Sequence, residues 1–137
     1  MKQNKIYLYT DGGSRGNPGQ SAVGIVICNE DKEIVDTYKE RIGYGTNNEA
    51  EYKALIKGLE IAKTHCKEEI VFFSDSELLV KQLNGQYRIK AKNLQELYHE
   101  VQNCVKPFRK ITYNHHKRNH TLIQECDKLV NQALDNK

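Results

Sequence analysis

The run Ile6-Tyr-Leu-Tyr-Thr-Asp11, followed at once by Gly-Gly-Ser-Arg-Gly-Asn-Pro-Gly19, constrains the fold more than any other part of the chain. Residues 5 to 10 are rich in β-formers, and Gly12, Gly13, Gly16, Pro18 and Gly19 are strand terminators or turn formers. Tyr7, Tyr9 and Asp11 fall on one face of such a strand, and Ile6, Leu8 and Thr10 on the other. Apolar residues on both faces place the strand inside a sheet, with Asp11 delivered to its tip beside the core. A carboxylate there needs hydrogen bonds, a cation or a proton. On this stretch alone Asp11 reads equally well as the first residue of an Asp-Gly turn.

The rest of the chain supplies three more acids in comparable places. Ser21 to Cys28 and Ile34 to Ile42 read as two further strands, the second half-polar as expected of an antiparallel edge, and Gly43 to Asn48 as a loop. A helix from about Asn48 to Lys63 carries the stripe Glu51, Leu55, Gly58, Leu59 and Ala62, so Glu51 heads the apolar face while Glu49 lies on the solvent face. Glu69 to Asp75 has four consecutive apolar residues, the pattern of a parallel strand buried on both faces, and it ends in Asp75. Ser76 then caps a short helix through Leu83.

Gly85 to Lys92 is a basic connector. Asn93 is expected to cap a helix that Pro107 stops, and Lys110 to Asn114 is the last strand. The loop His115 to His120 precedes a final helix that opens on Thr121-Leu-Ile-Gln124, a capping-box pattern. Asp127 lies on that helix's apolar stripe with Ile123 and Val130 and is expected to point inward. Each acid alone could serve a turn or a cap. Four of them at two strand ends and two helix starts would repel one another unless they share protons or hold cations, and hard oxygen ligands favour Mg2+ or Mn2+.

The element order β-β-β-α-β-α-α-β-α implies an α/β fold with a mixed five-stranded sheet, three strands antiparallel and the others parallel, flanked by helices. Across 137 residues there is no repeat or linker-like shift in composition, so the expectation is one domain over residues 1–137. The charged share of 28% and hydrophobic share of 38% suit a soluble globular chain. No membrane span or signal segment is evident, which places the chain in the cytoplasm. A net charge of +3 is weak support for a polyanionic partner, although basic residues cluster at 81–92 and 106–118. Cys28, Cys66, Cys104 and Cys126 are singly spaced and read as reduced thiols, not as a disulfide framework or a zinc site.

Thr10-Asp-Gly-Gly-Ser-Arg-Gly-Asn-Pro-Gly19, Thr46-Asn-Asn-x-x-Glu51, Ser74-Asp-Ser76 and Cys126-Asp-x-Leu129 resemble, in order, the four signature segments of type 1 ribonuclease H. The resemblance spans nearly the whole chain. It implies the ribonuclease H-like fold and a two-metal endonuclease, with Mg2+ (two ions) or Mn2+, that cuts the RNA strand of an RNA/DNA hybrid and leaves 3′-hydroxyl and 5′-phosphate ends. It also implies that Asp11, Glu51, Asp75 and Asp127 are catalytic metal ligands. By the same match Gly12, Gly13, Asn17, Asn47 and Asn48 approach the RNA strand and its 2′-hydroxyls, and Thr46 touches a DNA-strand phosphate. The chain is expected to act as a monomer.

Three departures from the family pattern stand out, one of them Glu77, two past Asp75, where some members carry a substrate-contacting glutamine. Many members carry Gly-His-x-Gly in the loop before the last aspartate; here ungapped counting puts Lys117 at the histidine, leaving His116 or His120 as possible auxiliary residues. The basic helical protrusion of some bacterial members is replaced by the 85–92 connector, as in the family's shorter bacterial and archaeal members. The competing reading is a hybrid-binding module that is catalytically weak or silent. A Rossmann nucleotide site is disfavoured because a strand, not a helix, follows the glycine turn.

Overall fold

The structure, a computed structural model, describes residues 4–136. Five strands form one mixed sheet: β1 (Lys5–Arg15), β2 (Gly19–Cys28), β3 (Ile34–Gly45), β4 (Glu69–Ser74) and β5 (Lys110–His115). They lie in the order β3-β2-β1-β4-β5. β1–β2 and β2–β3 pair antiparallel, while β1–β4 and β4–β5 pair parallel. The helices are α1 (Asn47–Ala62), α2 (Glu77–Leu83), α3 (Lys92–Cys104) and α4 (Thr121–Asp135). The mixed sheet and flanking helices expected from the element order are therefore present.

Two glycines show how the layers are arranged. A Cβ on Gly12 would overlap the Ala50 carbonyl of α1, and one on the next residue, Gly13, would face Val130 of α4. Successive strand residues point to opposite faces, so α1 and α4 lie on opposite sides of the sheet. The larger core, under α1 and α3, joins Leu8, Ile25, Leu55, Leu59, Phe72 and Val101. A smaller one under α4 holds Tyr9, Val26, Cys28, Ile123 and Cys126. Tyr52 donates a 2.7 Å hydrogen bond to Gln82, tying α1 to α2. No described helix is long and apolar enough to cross a membrane.

Several local expectations change. β1 does not end at Asp11: its antiparallel pairing with β2 runs on to Arg15↔Gln20. What ends near Asp11 is the parallel pairing with β4, whose last pair is Tyr9↔Phe73. The glycines after Asp11 therefore belong to the strand, and one of them is where a helix backbone comes close. β3 likewise continues to Gly45, through the first half of the expected loop. β4 is fully buried on one face only, since Val71 and Phe73 remain half-buried; α4 packs mainly on β1, β2 and β3.

Asn93 does not cap α3, which starts from Ala91 without a side-chain cap. Thr121 does not cap α4 either. That role falls to His120, whose Nδ1 accepts the Leu122 N–H at 3.2 Å. Glu49 is half-buried and works in a capping box with Thr46, where a residue on the solvent face was expected.

Candidate active site

Asp11 lies where β1 has lost its parallel neighbour, so a gap opens in the sheet beside it. Asp75 closes β4 immediately after Ser74. The bend there is pinned by two hydrogen bonds: Ser74 Oγ accepts the Ser76 N–H at 3.0 Å, and Ser76 Oγ accepts the Leu79 N–H at 3.2 Å to cap α2. Glu51 enters from the first turns of α1. One of its carboxylate oxygens accepts the Gly12 N–H at 2.9 Å, so the same glycine that admits α1 also anchors its acid.

Carboxylate oxygens of Asp11, Glu51 and Asp75 lie within 4.8 Å of one another. Asp127 completes the cluster from α4 and lines the same groove. It is exposed, contrary to the inward orientation expected from its stripe. α4 buries Ile123, Cys126 and Val130 against the sheet, and Asp127, one residue round from that line, flanks the opening. Asn131, one turn further on, donates to the Asp127 carbonyl at 3.1 Å and reaches its carboxylate at 3.4 Å.

The acids strain one another electrostatically. Burial, then the charges of Asp75 and Asp127 and a hydrogen bond shared with Asp127, push the Asp11 carboxyl up to about 8. Burial, with Asp11 and Asp75 adding to it, raises Glu51 well above the usual carboxylate range. The Gly12 N–H and Arg118 pull the other way on Glu51 without offsetting these effects. An oxygen-only donor set that resists ionisation when empty is what a hard divalent cation would relieve.

Arg118 was not singled out from the sequence as a site residue. Its Nε donates to Asp75 at 3.1 Å, and the guanidinium is itself 89% exposed above a carboxylate that is 8% exposed. The available signal was a basic residue in the loop nine positions before Asp127, but Lys117 beside it carried the same charge. Neither His116 nor His120 joins the carboxylates; both rings stack on the aromatic side chains of β1 and β4.

From the acids, a groove of about 400 Å3 runs past Gly13 and Ser14 to Arg15 and Asn131. Arg15, at its far end, is ion-paired with Asp135. Asn47 Oδ1 accepts the Ser14 N–H at 2.9 Å, and Asn17 Oδ1 accepts the Asn47 N–H at 3.0 Å. This network fixes the orientation of both amides and leaves their NH2 groups as donors. Asn48 is exposed at the start of α1. Thr46 Oγ1 accepts the Glu49 N–H at 3.1 Å, so its hydroxyl serves the helix end. Gly12 is buried, and the close approach it permits is to α1; Gly13 is the one that lines the groove half-exposed.

Comparison with known proteins bears on the same residues. Positions 9–133 match the family described as reverse transcriptase-like. The chain is 37% identical over 131 residues to ribonuclease HI of Halobacterium salinarum, covering 96% of this chain and 65% of that protein. It is 37% identical over 132 residues to the bifunctional protein Rv2228c of Mycobacterium tuberculosis, of which it spans 36%. The crystal structure of RNase H1 from Halobacterium salinarum is similar at a TM-score of 0.92 and 36% identity, with 97% of this chain and 99% of that one covered. LC11-RNase H1, crystallised in complex with RNA/DNA hybrid, is similar at a TM-score of 0.89 and 35% identity, with 95% and 96% covered. On the family match and these similarities, the chain belongs to the reverse transcriptase-like family, among the type 1 ribonucleases H.

Proposed function

We propose that the chain is an endonuclease that hydrolyses the RNA strand of RNA/DNA hybrids, leaving 3′-hydroxyl and 5′-phosphate ends. The observation that carries this reading is the approach of Asp11, Glu51 and Asp75 to within 4.8 Å, at the head of a groove bordered by oriented amides. The oxygen-only donor set suits Mg2+ or Mn2+, and Asp11, Glu51, Asp75 and Asp127 would hold two such ions. When bound, they supply Lewis-acid stabilisation of the phosphate and a water made acidic enough to attack it near neutral pH.

The chain's own groups do the remaining work. Glu51, tied to the Gly12 N–H, is fixed before substrate arrives. Arg118, held on Asp75 by its Nε–H, brings a guanidinium to the groove, where its planar fork of donors matches phosphate oxygens. The NH2 groups of Asn17 and Asn47, with Asn48 beside them, offer donors to 2′-hydroxyls, which distinguish RNA from DNA. The Gly13 backbone lines the path of the RNA strand with Gly12 beneath it, and Thr46 holds the helix end that faces the DNA strand.

The test is cleavage of a labelled RNA/DNA hybrid in Mg2+ or Mn2+, with DNA and RNA duplexes as controls. Asp75→Asn is expected to lower kcat by about 10^3-fold or more while hybrid binding persists. Undiminished cleavage by Asp75→Asn would overturn the assignment, and tight binding with no cleavage by the parent chain in either ion would leave only a hybrid-binding module.

A further inference from the structure

On the α4 side of the sheet, beside the start of α4, four rings lie nearly parallel. Phe73 and His116 have centroids 4.4 Å apart, His116 and His120 4.4 Å, His120 and Tyr9 5.5 Å, and Tyr9 and Phe73 4.9 Å. The interplanar angles run from 18° to 24°. Two of the rings sit on the strands that carry or lead to the acids, Tyr9 two residues before Asp11 and Phe73 two before Asp75. The two imidazoles bracket residues 117–119, and Arg118 is the middle residue of that bracket.

The backbone is fastened at the same two points. The His116 N–H donates to the Ser74 carbonyl at 3.0 Å, and the His120 N–H closes the turn on the Lys117 carbonyl at 3.0 Å. His120 Nδ1 is engaged by the Leu122 N–H, which fixes its ring at the start of α4. Lys117, Arg118 and Asn119 are themselves exposed. Burial, and then the neighbouring His120, His115 and Lys32, shift the His116 imidazole down from its ordinary value. Offset or stacked rings at these separations add to the stabilisation from burial alone.

We infer that His116 and His120 are positioning residues, which by stacking on Phe73 and Tyr9 hold both ends of the 117–119 turn and thereby seat Arg118 on Asp75. This differs from a role in proton transfer, for which an imidazole would have to reach the reacting atoms. The inference rests on the proposed ribonuclease activity only for its kinetic consequence, because the seating of Arg118 is a property of the free protein.

Two measurements separate it from its rivals. In the free protein, the Arg118 Nε–H resonance is expected to be slowed in solvent exchange by its bond to Asp75. That protection should survive His116→Phe, which keeps a ring. It should be lost in His116→Ala, and in His120→Asn, which retains an acceptor for the Leu122 N–H and removes the ring. In hybrid cleavage, His116→Ala is expected to lower kcat/KM about tenfold and His116→Phe to restore most of it. His116→Ala should add less than about twofold when Arg118 is already alanine, because the histidine acts through the arginine.

Arg118 Nε–H protection that persists in His116→Ala would overturn the inference. So would a His116→Phe variant as impaired as His116→Ala, or losses that multiply in the double variant. If the parent chain cuts no hybrid, the proposed activity fails, and the exchange measurement still decides whether the rings seat Arg118.

Discussion

Asp11 is the residue whose chemistry is most altered by the fold. Its carboxyl is pushed up to about 8, chiefly by burial and then by Asp75 and Asp127, against about 4 in an unfolded chain. The metal-free folded protein therefore binds a proton more tightly than the unfolded chain does. The resulting stability is complete below the unfolded pKa and is lost as pH rises through about 8. Glu51 is shifted in the same direction. His116, shifted down, acts oppositely and only as pH falls through the ordinary histidine range, so it does not interfere above neutrality. Urea unfolding in EDTA is expected to show stability falling by on the order of 2 kcal/mol between pH 7 and pH 9. Asp11→Asn should make that slope shallower and be the more stable protein at pH 9. A parent chain with flat stability over this window would refute the account of the acids.

At the scale of elements, two glycines allow the helices to bring their acids in. A Cβ at Gly12 would overlap the Ala50 carbonyl, and a Cβ at Gly24 the Cys126 carbonyl, so alanine at either forces a helix off the sheet. Gly13 is different: the nearest atom to its Cβ would be Val130 Cγ1 at an ordinary 3.7 Å. Gly12→Ala and Gly24→Ala are each expected to cost about 1–3 kcal/mol in urea unfolding, and Gly13→Ala less than about 0.5 kcal/mol. Equal effects at all three positions would show that close helix approach is not what these glycines provide.

The same packing explains which features were legible in the sequence. Glu51 could be placed because α1 buries a broad stripe, and counting along a helix finds its face. Asp127 was misplaced because its stripe is wider than the area α4 buries, and the surplus borders the groove. The end of β1 was misjudged because glycine after a strand signals a turn locally, whereas here β2 pairs on past Asp11 and α1 requires the glycine. The start of α4 followed tertiary structure: Thr121-x-x-Gln124 is a good local cap, yet His120, held in the ring stack, supplies it. Arg118 could not be told from Lys117 by sequence, since only the turn decides which one meets Asp75.

On the scale of the whole molecule, the site is where otherwise separate layers meet. Asp11 comes from the central strand, Glu51 from a helix on one face, Asp127 from the helix on the other, and Asp75 from the strand beyond the gap. None of these acids is near another in sequence, so the cluster exists only in the folded chain. A divalent ion bound there is accordingly linked to folding: at about 100 times its Kd, it stabilises by about 2.7 kcal/mol. For a domain of this size that corresponds to a rise of roughly 10 °C in Tm. The ion also holds Asp11 ionised, so it should remove most of the fall in stability between pH 7 and pH 9 that is expected in EDTA. Melting curves in Mg2+, Mn2+ and EDTA at both pH values test both consequences at once. Asp11→Asn and Asp75→Asn should lose most of the metal-dependent rise; if they keep it in full, the ions that stabilise the protein bind elsewhere, and the convergence of the four acids has another purpose.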